Sequence, residues 1–211
     1  MIKTNYNKHY FENALYKGHR NSQRDTARKK LITSLKKSGS LLEIGSGEGY
    51  LLALLENTFK TTGIEISDYA AQYSQKIVKT SAVLNTPIEN LNLGTKKFDV
   101  ILAFNVFEHM LDPYTEIKKI AAALKKDGVL IGSVPNNHGL VGSLFTQLTN
   151  YIDRTHVATY RTETRLRLFS KAGLDVHTKG EIPLGRNYSF FISYGCWKEC
   201  SMNMVFIAQQ S

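Results

Sequence analysis

Ten residues, from Leu41 to Tyr50, constrain the fold of this chain more than any other stretch. They read LLEIGSGEGY in one-letter code. The apolar start predicts a buried strand, and the apolar run Tyr50–Leu55 predicts a buried helix. The glycines between them, which let the backbone turn tightly and approach a ligand, are Gly45, Gly47 and Gly49. The stretch therefore predicts a strand, a glycine loop and a helix whose free N–H groups face a ligand.

The spacing of these glycines distinguishes two classes of ligand. In the dinucleotide fingerprint G-x-G-x-x-G, the third glycine stands at the position that Tyr50 occupies here. The strand also ends in Glu43, which is a poor neighbour for a pyrophosphate and a good partner for a cationic amino group. A ligand with an ammonium, a carboxylate and no phosphate fits this loop better. The spacing therefore disfavours a nicotinamide oxidoreductase.

Strands and helices alternate through the rest of the chain. Ser67 is a predicted N-cap for the helix after the second strand, and Asp112 with Pro113 begins a later helix. The predicted strands are 41–44, 62–66, 82–84, 98–105, one that ends near 135, 174–178 and 204–209. This alternation predicts a parallel sheet with right-handed crossovers.

Two motifs resemble one enzyme family. The residues Glu43–Gly49 match in full the first motif, [DE]-x-G-x-G-x-G, of the class I S-adenosylmethionine (SAM) dependent methyltransferases. The residues Phe98–Ile101 and Phe107–Pro113 resemble the branch that includes the ubiquinone-biosynthesis O-methyltransferases, with a domain of the type 11, 12 or 23 kind. The resemblance implies SAM as the cofactor. It also implies a Rossmann-like α/β fold with a mostly parallel seven-stranded sheet, the last strand antiparallel, and helices on both faces.

The resemblance also implies a set of cofactor-binding residues. Glu65 ends the second strand, where an acid can accept hydrogen bonds from both hydroxyls of a ribose, and Ile66 stands where relatives pack on the adenine. Pro87 replaces an adenine-binding Asp of many relatives, so Thr86 or the backbone near Ile88 is expected to serve instead. The predicted cofactor-binding residues are Glu43, Gly45, Ser46, Gly47, Gly49, Glu65, Ile66, Thr86, Ile88, Phe104 and Asn105.

Methyl transfer from a sulfonium is an in-line displacement, in which positioning does most of the work. A base is needed only for an acceptor hydroxyl or amine that must lose a proton. His109, after the fourth strand, and His156, in a D-R-T-H-V segment that resembles a family element, are the predicted catalytic residues. Either is alternatively a loop histidine bonded to backbone. Glu108 is predicted to orient His109 or to accept bonds from helix N–H groups.

No metal site is expected. Some ubiquinone-type relatives bind a divalent metal through E-x-x-E-H, but Asn105 stands at the first acidic position here. Only Glu108 and His109 remain, and hard cations prefer several oxygen ligands.

The charge of the chain lies mostly in its first forty residues. Met1–Ser40 contains ten Lys and Arg against two acids, so it holds +8 of the total of +9. The segment contains a predicted helix whose apolar face is Ala27, Leu31 and Leu35. The predicted outer residues are Arg24, Arg28, Lys29, Lys36 and Lys37. We expect a basic N-terminal helical cap, residues 1–40, on a methyltransferase domain, residues 41–211, as one compact unit.

This charge predicts an anionic partner, either a carboxylated or phosphorylated small molecule or RNA, although a solvated helix face explains it equally well. In the resembled family the N-terminal segment and the His156 element cover the acceptor pocket. The predicted substrate-binding residues are therefore Tyr10, Arg20, Arg24 and Arg154.

Two other functions are less favoured than methyl transfer to a small molecule. RNA methylation is less favoured because the chain has no N-P-P-[YF] motif, no cysteine nucleophile after strand four or five, and no room for a separate RNA-binding domain. A SAM-fold binding protein without catalysis is disfavoured by the intact Glu43 and Glu65.

Membrane association is not expected, because no apolar run has the length of a signal peptide or a membrane span. Cys196 and Cys200 are expected to be free thiols of a cytoplasmic protein, monomeric or homodimeric.

Overall fold

The computed structural model describes residues 6–12, 23–93, 95, 97–136, 143, 144, 147, 160, 162–184, 188–193 and 203–211. Its helices are α1 (Lys8–Glu12), α2 (Gln23–Leu35), α3 (Tyr50–Leu55), α4 (Asp68–Ile77), α5 (Pro113–Ala123) and α6 (Thr162–Lys171). Its strands are β1 (Gly39–Ile44), β2 (Phe59–Glu65), β3 (Ala82–Asn85), β4 (Phe98–Phe104), β5 (Leu124–Pro135), β6 (Leu174–Leu184), β7 (Tyr188–Ser193) and β8 (Asn203–Gln210). Two 3₁₀ turns lie at Ile88–Asn90 and Phe107–His109.

The described strands form a single sheet in the order β3-β2-β1-β4-β5-β8-β6-β7. Strands β1 to β5 pair in parallel, and β8 lies antiparallel between β5 and β6. The predicted mixed sheet with an antiparallel last strand is therefore confirmed. The structure adds an eighth strand, β7, because β6 extends to Leu184 and folds back on itself as an edge hairpin. Aromatic and β-branched residues in Tyr188–Ser193 favour this extended conformation.

Alternate residues of the central strands enter two cores, one on each face of the sheet. Leu42 and Ile101 face a core that includes Ile117 of α5. Their neighbours Leu41 and Leu102 face a second core that includes Leu52 of α3 and Ile32 of α2. The helices therefore cover both faces of the sheet, as the resemblance implies.

Local capping explains where α4 and α5 begin. The backbone N–H of Ala70 donates to Ser67 Oγ at 3.2 Å, and the backbone N–H of Thr115 donates to Asp112 Oδ1 at 3.2 Å. Pro113 occupies the first turn of α5, where its missing N–H has no consequence. Both predicted N-caps are thus confirmed. No helix among the described residues has the length and hydropathy needed to cross a membrane.

The predicted face of α2 is only partly correct, because Leu31 packs against the core but Leu35 does not face it. Ile32 is fully buried, and Asp25 is 8% exposed, whereas Leu35, predicted to face the core, is 40% exposed. The side chain of Arg28, predicted to face solvent, is 12% exposed. Residues 25, 28 and 32 share one side of the helix, so α2 turns a partly charged side inward. This side contributes to the site described next.

Candidate functional site

The glycine loop between β1 and α3 requires its glycines for conformational reasons. Gly45, Gly47 and Gly49 have φ angles of 70°, 54° and 84°, a region that residues with a Cβ rarely adopt. A Cβ on Gly45 would also lie 2.8 Å from Val106 Cγ2. The backbone N–H groups of Gly45 and Ser46 donate to the Ile64 carbonyl at 2.8 and 3.0 Å, which fixes the loop against β2.

A cavity of about 450 Å³ opens at this loop, at the carboxyl ends of β1, β2 and β4. It has the size and position of a ligand site in an open α/β sheet. The predicted cofactor-binding residues that line it are Glu43, Gly45, Ser46, Gly47, Gly49, Glu65, Ile66, Thr86, Ile88, Phe104 and Asn105. Tyr10, Arg24 and His109 line the same cavity. Arg20, Arg154 and His156 lie outside the described residues.

Glu65 braces the glycine loop. Its carboxylate accepts a hydrogen bond from the Gly47 N–H at 2.7 Å and another from the Ser67 N–H at 2.8 Å. Burial raises the pKa of Glu65, and these backbone bonds oppose the rise. Each carboxylate oxygen has a further lone pair. Glu65 therefore has acceptor capacity left for a ligand, beyond its role in shaping the loop.

Glu43 is buried in the cavity wall with an unsatisfied oxygen. The residue is 5% exposed, and its Oε2 has no hydrogen-bond partner in the described structure. Burial raises the pKa of Glu43 well above its usual range, and the nearby Asp25 carboxylate adds to the rise while Arg28 opposes it. A cationic ligand group would satisfy this oxygen.

Arg28 is a site residue that the sequence analysis missed. Its Cζ lies 4.1 Å from the centre of the Phe104 ring, and its Nη1 lies 3.5 Å from Asp25 Oδ1. Its buried Nε has no hydrogen-bond partner among the described atoms. Burial lowers the pKa of Arg28 to about 10, so the guanidinium stays charged near neutral pH. Asp25, Arg28 and Ile32 are three and four residues apart and so share one side of the helix. This spacing was the sequence signal that could have shown Arg28 facing inward together with Ile32.

Arg24, a predicted substrate-binding residue, lies in the cavity wall but is bound to another residue. Its Nε and Nη2 donate to the two carboxylate oxygens of Glu181 at 2.8 and 3.1 Å. Asn203 Nδ2 donates to the same carboxylate at 3.0 Å. Two of the donor atoms of Arg24 are therefore used to hold α2 against β6 and β8.

Asn105 directly follows β4 and has a strained backbone conformation. Its φ of 54° makes it the one non-glycine residue with positive φ in the described part of the chain. Its backbone N–H donates to the Ser133 carbonyl at 2.8 Å, and Ser133 Oγ donates to its Oδ1 at 2.6 Å. Such residues cluster at functional sites because the surrounding structure must hold them in place. Because Asn105 Oδ1 accepts the bond from Ser133, the side-chain nitrogen Nδ2 of Asn105 remains as a donor towards the cavity.

His109 lies at the cavity on the 3₁₀ turn after β4. The ring of Phe107, which begins this turn, lies 5.5 Å from Phe169 and 5.8 Å from Phe206, so the core anchors the turn. The His109 ring meets the edge of Tyr6 at 5.8 Å between centroids, and Tyr6 meets Tyr10 at 5.1 Å. The segment before and within α1 thus packs over His109.

Glu108 makes neither of the contacts predicted for it. It is 1% exposed, and neither of its carboxylate oxygens has a hydrogen-bond partner in the described structure. It therefore neither orients His109 by a hydrogen bond nor accepts one from a helix N–H group. Among the described residues, no group of three or more His, Cys, Asp or Glu side chains is arranged to hold a metal. The expectation of a metal-free site stays a prediction.

A family model for a methyltransferase domain matches residues 16–179. The chain belongs to this methyltransferase family. The ubiquinone biosynthesis O-methyltransferase of Coxiella burnetii is 26% identical over 174 residues, which cover 72% of this chain and 74% of that protein. The tRNA U34 carboxymethyltransferase of Campylobacter jejuni is 34% identical over 97 residues, which cover 42% of this methyltransferase and 32% of that protein.

A solved structure from Thermotoga maritima supports the same fold. It is a SAM-dependent methyltransferase, described as a possible histamine N-methyltransferase, and it is 20% identical with a TM-score of 0.71. The match covers 93% of each chain. The predicted class I methyltransferase fold is therefore confirmed, and SAM is the cofactor of that class.

The cavity of this methyltransferase fits the methionine end of SAM by its unsatisfied polar atoms. Glu43 Oε2 is an acceptor without a donor, which suits an ammonium, and Arg28 Nε is a donor without an acceptor, which suits a carboxylate. Ser46 Oγ, in the glycine loop, also lacks a partner among the described residues. Buried polar atoms without partners are rare in folded proteins unless a ligand or water satisfies them. The residues present thus fit a zwitterionic amino-acid group.

Proposed function

We propose that this methyltransferase transfers a methyl group from SAM to an oxygen or nitrogen of a small-molecule acceptor. One observation carries the proposal: His109 lines the same cavity as the glycine loop and Glu65. A cavity of about 450 Å³ is in the range of small-molecule sites and lies at the sheet edge where such ligands bind.

In this proposal the cofactor is held by complementary polar groups. Glu43 receives the ammonium and Arg28 the carboxylate of the methionine part, and Glu65 receives the ribose hydroxyls. Ile66, Thr86 and Ile88 surround the adenine. When bound, SAM supplies an electrophilic methyl group on a sulfonium. These roles are supported by the burial of Glu43 and Glu65, at 5% exposed each, because a buried carboxylate needs a partner.

His109 removes the proton from an acceptor hydroxyl or amine in this proposal. It is half-buried at the cavity and held between a core-anchored turn and the Tyr6 ring. A base held within reach of the nucleophile typically contributes about 10²–10⁴-fold to the rate. His156 remains the second candidate from the sequence.

We further propose that the acceptor is carboxylated or phosphorylated. The support is the +8 charge of residues 1–40 and the basic residues beside His156. Arg20 and Arg154 are the proposed contacts, because a forked guanidinium binds such anions with two parallel hydrogen bonds. Arg24 contributes less to this contact, since it is paired with Glu181.

RNA is the second candidate acceptor, and two observations favour it. One is the excess charge of the N-terminal segment, and the other is the similarity over 97 residues to a protein that modifies tRNA. Salt dependence separates the two candidates. RNA binding releases several counterions and gives a steep log–log salt slope, whereas a small anion gives a shallow one.

The experiment is a two-stage assay of the whole chain. Calorimetry first measures binding of S-adenosylhomocysteine (SAH), the demethylated product of SAM. A radiolabelled methyl-transfer screen then compares matched acceptors, such as 3,4-dihydroxybenzoate with catechol, and phosphoethanolamine with ethanolamine. We expect SAH to bind, charged acceptors to be preferred, and Arg20→Ala and Arg154→Ala to reduce that preference.

Other outcomes of this assay contradict the proposal in distinct ways. SAH binding with transfer to tRNA alone would favour the RNA candidate, and SAH binding with no transfer to any acceptor would favour a binding protein without catalysis. Failure to bind SAH would contradict the proposal as a whole. A cytoplasmic location and a monomer or homodimer stay predictions from the sequence.

A further inference from the structure

Glu108 is a buried carboxylate whose isolation the proposed cofactor site does not explain. It lies in the cavity wall, is 1% exposed, and has no hydrogen-bond partner for either oxygen in the described structure. An unpaired buried charge is strongly unfavourable, and each such group in a folded protein requires an explanation. A carboxylate retained under these conditions is typical of a group that binds a ligand.

The surroundings of Glu108 offer a charge but no direct partner. Arg165 of α6 is 5% exposed and interacts electrostatically with Glu108, yet neither carboxylate oxygen of Glu108 has a hydrogen-bond partner in the described structure. Arg165 Nη1 instead donates to the Pro135 carbonyl at the end of β5, at 3.3 Å. Phe107, the residue before Glu108, is anchored in the core by its ring contact with Phe169 at 5.5 Å.

The position of Glu108 in the sheet separates it from the proposed cofactor contacts. The sheet order is β2-β1-β4-β5, and Glu43 and Glu65 lie at the carboxyl ends of β1 and β2. Glu108 follows β4, and its charged neighbour Arg165 is bonded at the end of β5. Glu108 therefore follows a strand that neighbours β5 and is two strands away from β2, at whose end Glu65 lies.

We propose that Glu108 accepts a hydrogen bond from the acceptor molecule, from a hydroxyl or an amine, and so selects acceptors that carry such a donor near the methylated atom. The inference rests on the proposed function, because it assumes that the cavity takes an acceptor. A carboxylate repels another anion, so the carboxylate or phosphate of the acceptor points away from Glu108. The acceptor class is then a hydroxylated or aminated molecule with its anionic group at the far end.

A stability comparison tests this without any acceptor. Glu108→Gln keeps the side-chain shape and removes a carboxylate that has no hydrogen-bond partner, while Arg165 loses the favourable effect of its charge. We therefore expect a melting temperature close to that of the parent. The matched control is Glu181→Gln, which changes a glutamate that is also 1% exposed but is paired with Arg24. We expect this control to melt at a clearly lower temperature. If Glu108→Gln loses as much as Glu181→Gln, Glu108 is a structural ion and the inference is overturned.

A binding and activity comparison tests the ligand role. SAH affinity of Glu108→Gln should stay within about twofold of the parent, because the proposed cofactor contacts are intact. For any acceptor that the parent methylates, kcat/KM should fall at least tenfold, mostly through a rise in KM. A tenfold change corresponds to about 1.4 kcal/mol. Unchanged kcat/KM would overturn the inference and leave the proposed function intact, whereas loss of SAH binding by the parent would remove the proposed function itself.

A metal is the competing explanation for an unpaired carboxylate next to a histidine. Activity and melting temperature of the parent should be unaffected by EDTA and by added Mg²⁺. If EDTA abolishes activity and Mg²⁺ restores it in the parent but not in Glu108→Gln, Glu108 is a metal ligand and the inference is wrong. If chelation has no effect, the hydrogen-bond role is supported.

Discussion

Arg24 and Glu181 form a two-bond ion pair across 157 residues of sequence, with distances of 2.8 and 3.1 Å. The pair is buried, because the Arg24 side chain is 15% exposed and that of Glu181 is 1% exposed. It joins α2 to β6, beside a third partner, Asn203, on β8. Helix α2 of this methyltransferase is therefore attached to the sheet by charge as well as by Ile32, and Arg28 is held in the cavity wall as a result.

The first prediction concerns this ion pair. Glu181→Gln should lower the free energy of unfolding by about 3–5 kcal/mol, because it leaves Arg24 buried without its anion. Burial would raise the pKa of Glu181, but Arg24 and Arg28 hold it at about 2, below the usual 4.5. The pair therefore stabilises the fold above about pH 4.5, and this contribution is lost as the pH falls through about 2.

Urea unfolding at several pH values measures both effects. The parent should lose stability as the pH falls from 4.5 towards 2, and Glu181→Gln should lose less over the same interval. A variant with the urea midpoint of the parent at pH 7 would show that the ion pair does not stabilise the protein.

The second prediction concerns Glu65. Glu65→Ala should weaken SAH binding at least tenfold, because it removes charged hydrogen bonds to ribose, worth about 1.5–3 kcal/mol. Glu65→Gln should also weaken binding. Its amide nitrogen cannot accept a bond, so either the Gly47 or the Ser67 N–H loses its partner. Calorimetry with SAH checks both variants. Unchanged affinity in Glu65→Ala, or tight NAD binding by the parent, would contradict the cofactor assignment.

The third prediction concerns the base. His109→Asn should lower kcat by about a hundredfold or more and leave SAH affinity nearly unchanged, because it removes proton transfer but no cofactor contact. Steady-state kinetics with an acceptor found in the screen measures this. The comparison variant is His156→Asn. A large loss there with full activity in His109→Asn would assign the role to His156, and little loss in either would indicate an acceptor that needs no base.

The fourth prediction concerns the glycine loop. Gly49 and Gly173 have similar φ angles, 84° and 78°, but a Cβ on Gly49 would overlap Ser74 Oγ, whereas a Cβ on Gly173 would meet nothing within 4 Å. Gly173→Ala should therefore cost only the left-handed strain, about 1–2 kcal/mol. Gly49→Ala should cost more and should also weaken SAH binding. Thermal unfolding and calorimetry compare the two, and equal stability losses would show that the contact with Ser74 is relieved without cost.

The cofactor half of the cavity was predictable because its signals are local. Three glycines in five residues can be read directly, since each one is needed for the backbone of the same loop. Glu43 and Glu65 were equally predictable, because the end of a parallel strand is recognisable from its apolar run. The carboxyl ends of β1 and β2 also meet at one sheet edge.

Pairings between distant residues could not be predicted in this way. The ion pair of Arg24 with Glu181, the isolation of Glu108 and the edge strand β7 depend on segments far apart in the sequence. Charged residues carry no information on their own about which partner they meet, because an ion pair is possible with any opposite charge that the fold brings near.

The sequence alone thus established the alternation of strands and helices and the glycine loop, through hydrophobic periodicity and glycine spacing, and the resemblance of its motifs implied the class I methyltransferase fold. Which side of α2 faces the cavity was settled by tertiary packing. The apolar stripe of Ala27, Leu31 and Leu35 predicted a different inner side. The inner side was set instead by the packing of Ile32 in the core and by the pairing of Arg24 with Glu181. That choice places Arg28 beside Glu43, because burial of one residue on a rigid helix fixes the direction of its neighbours three and four positions away.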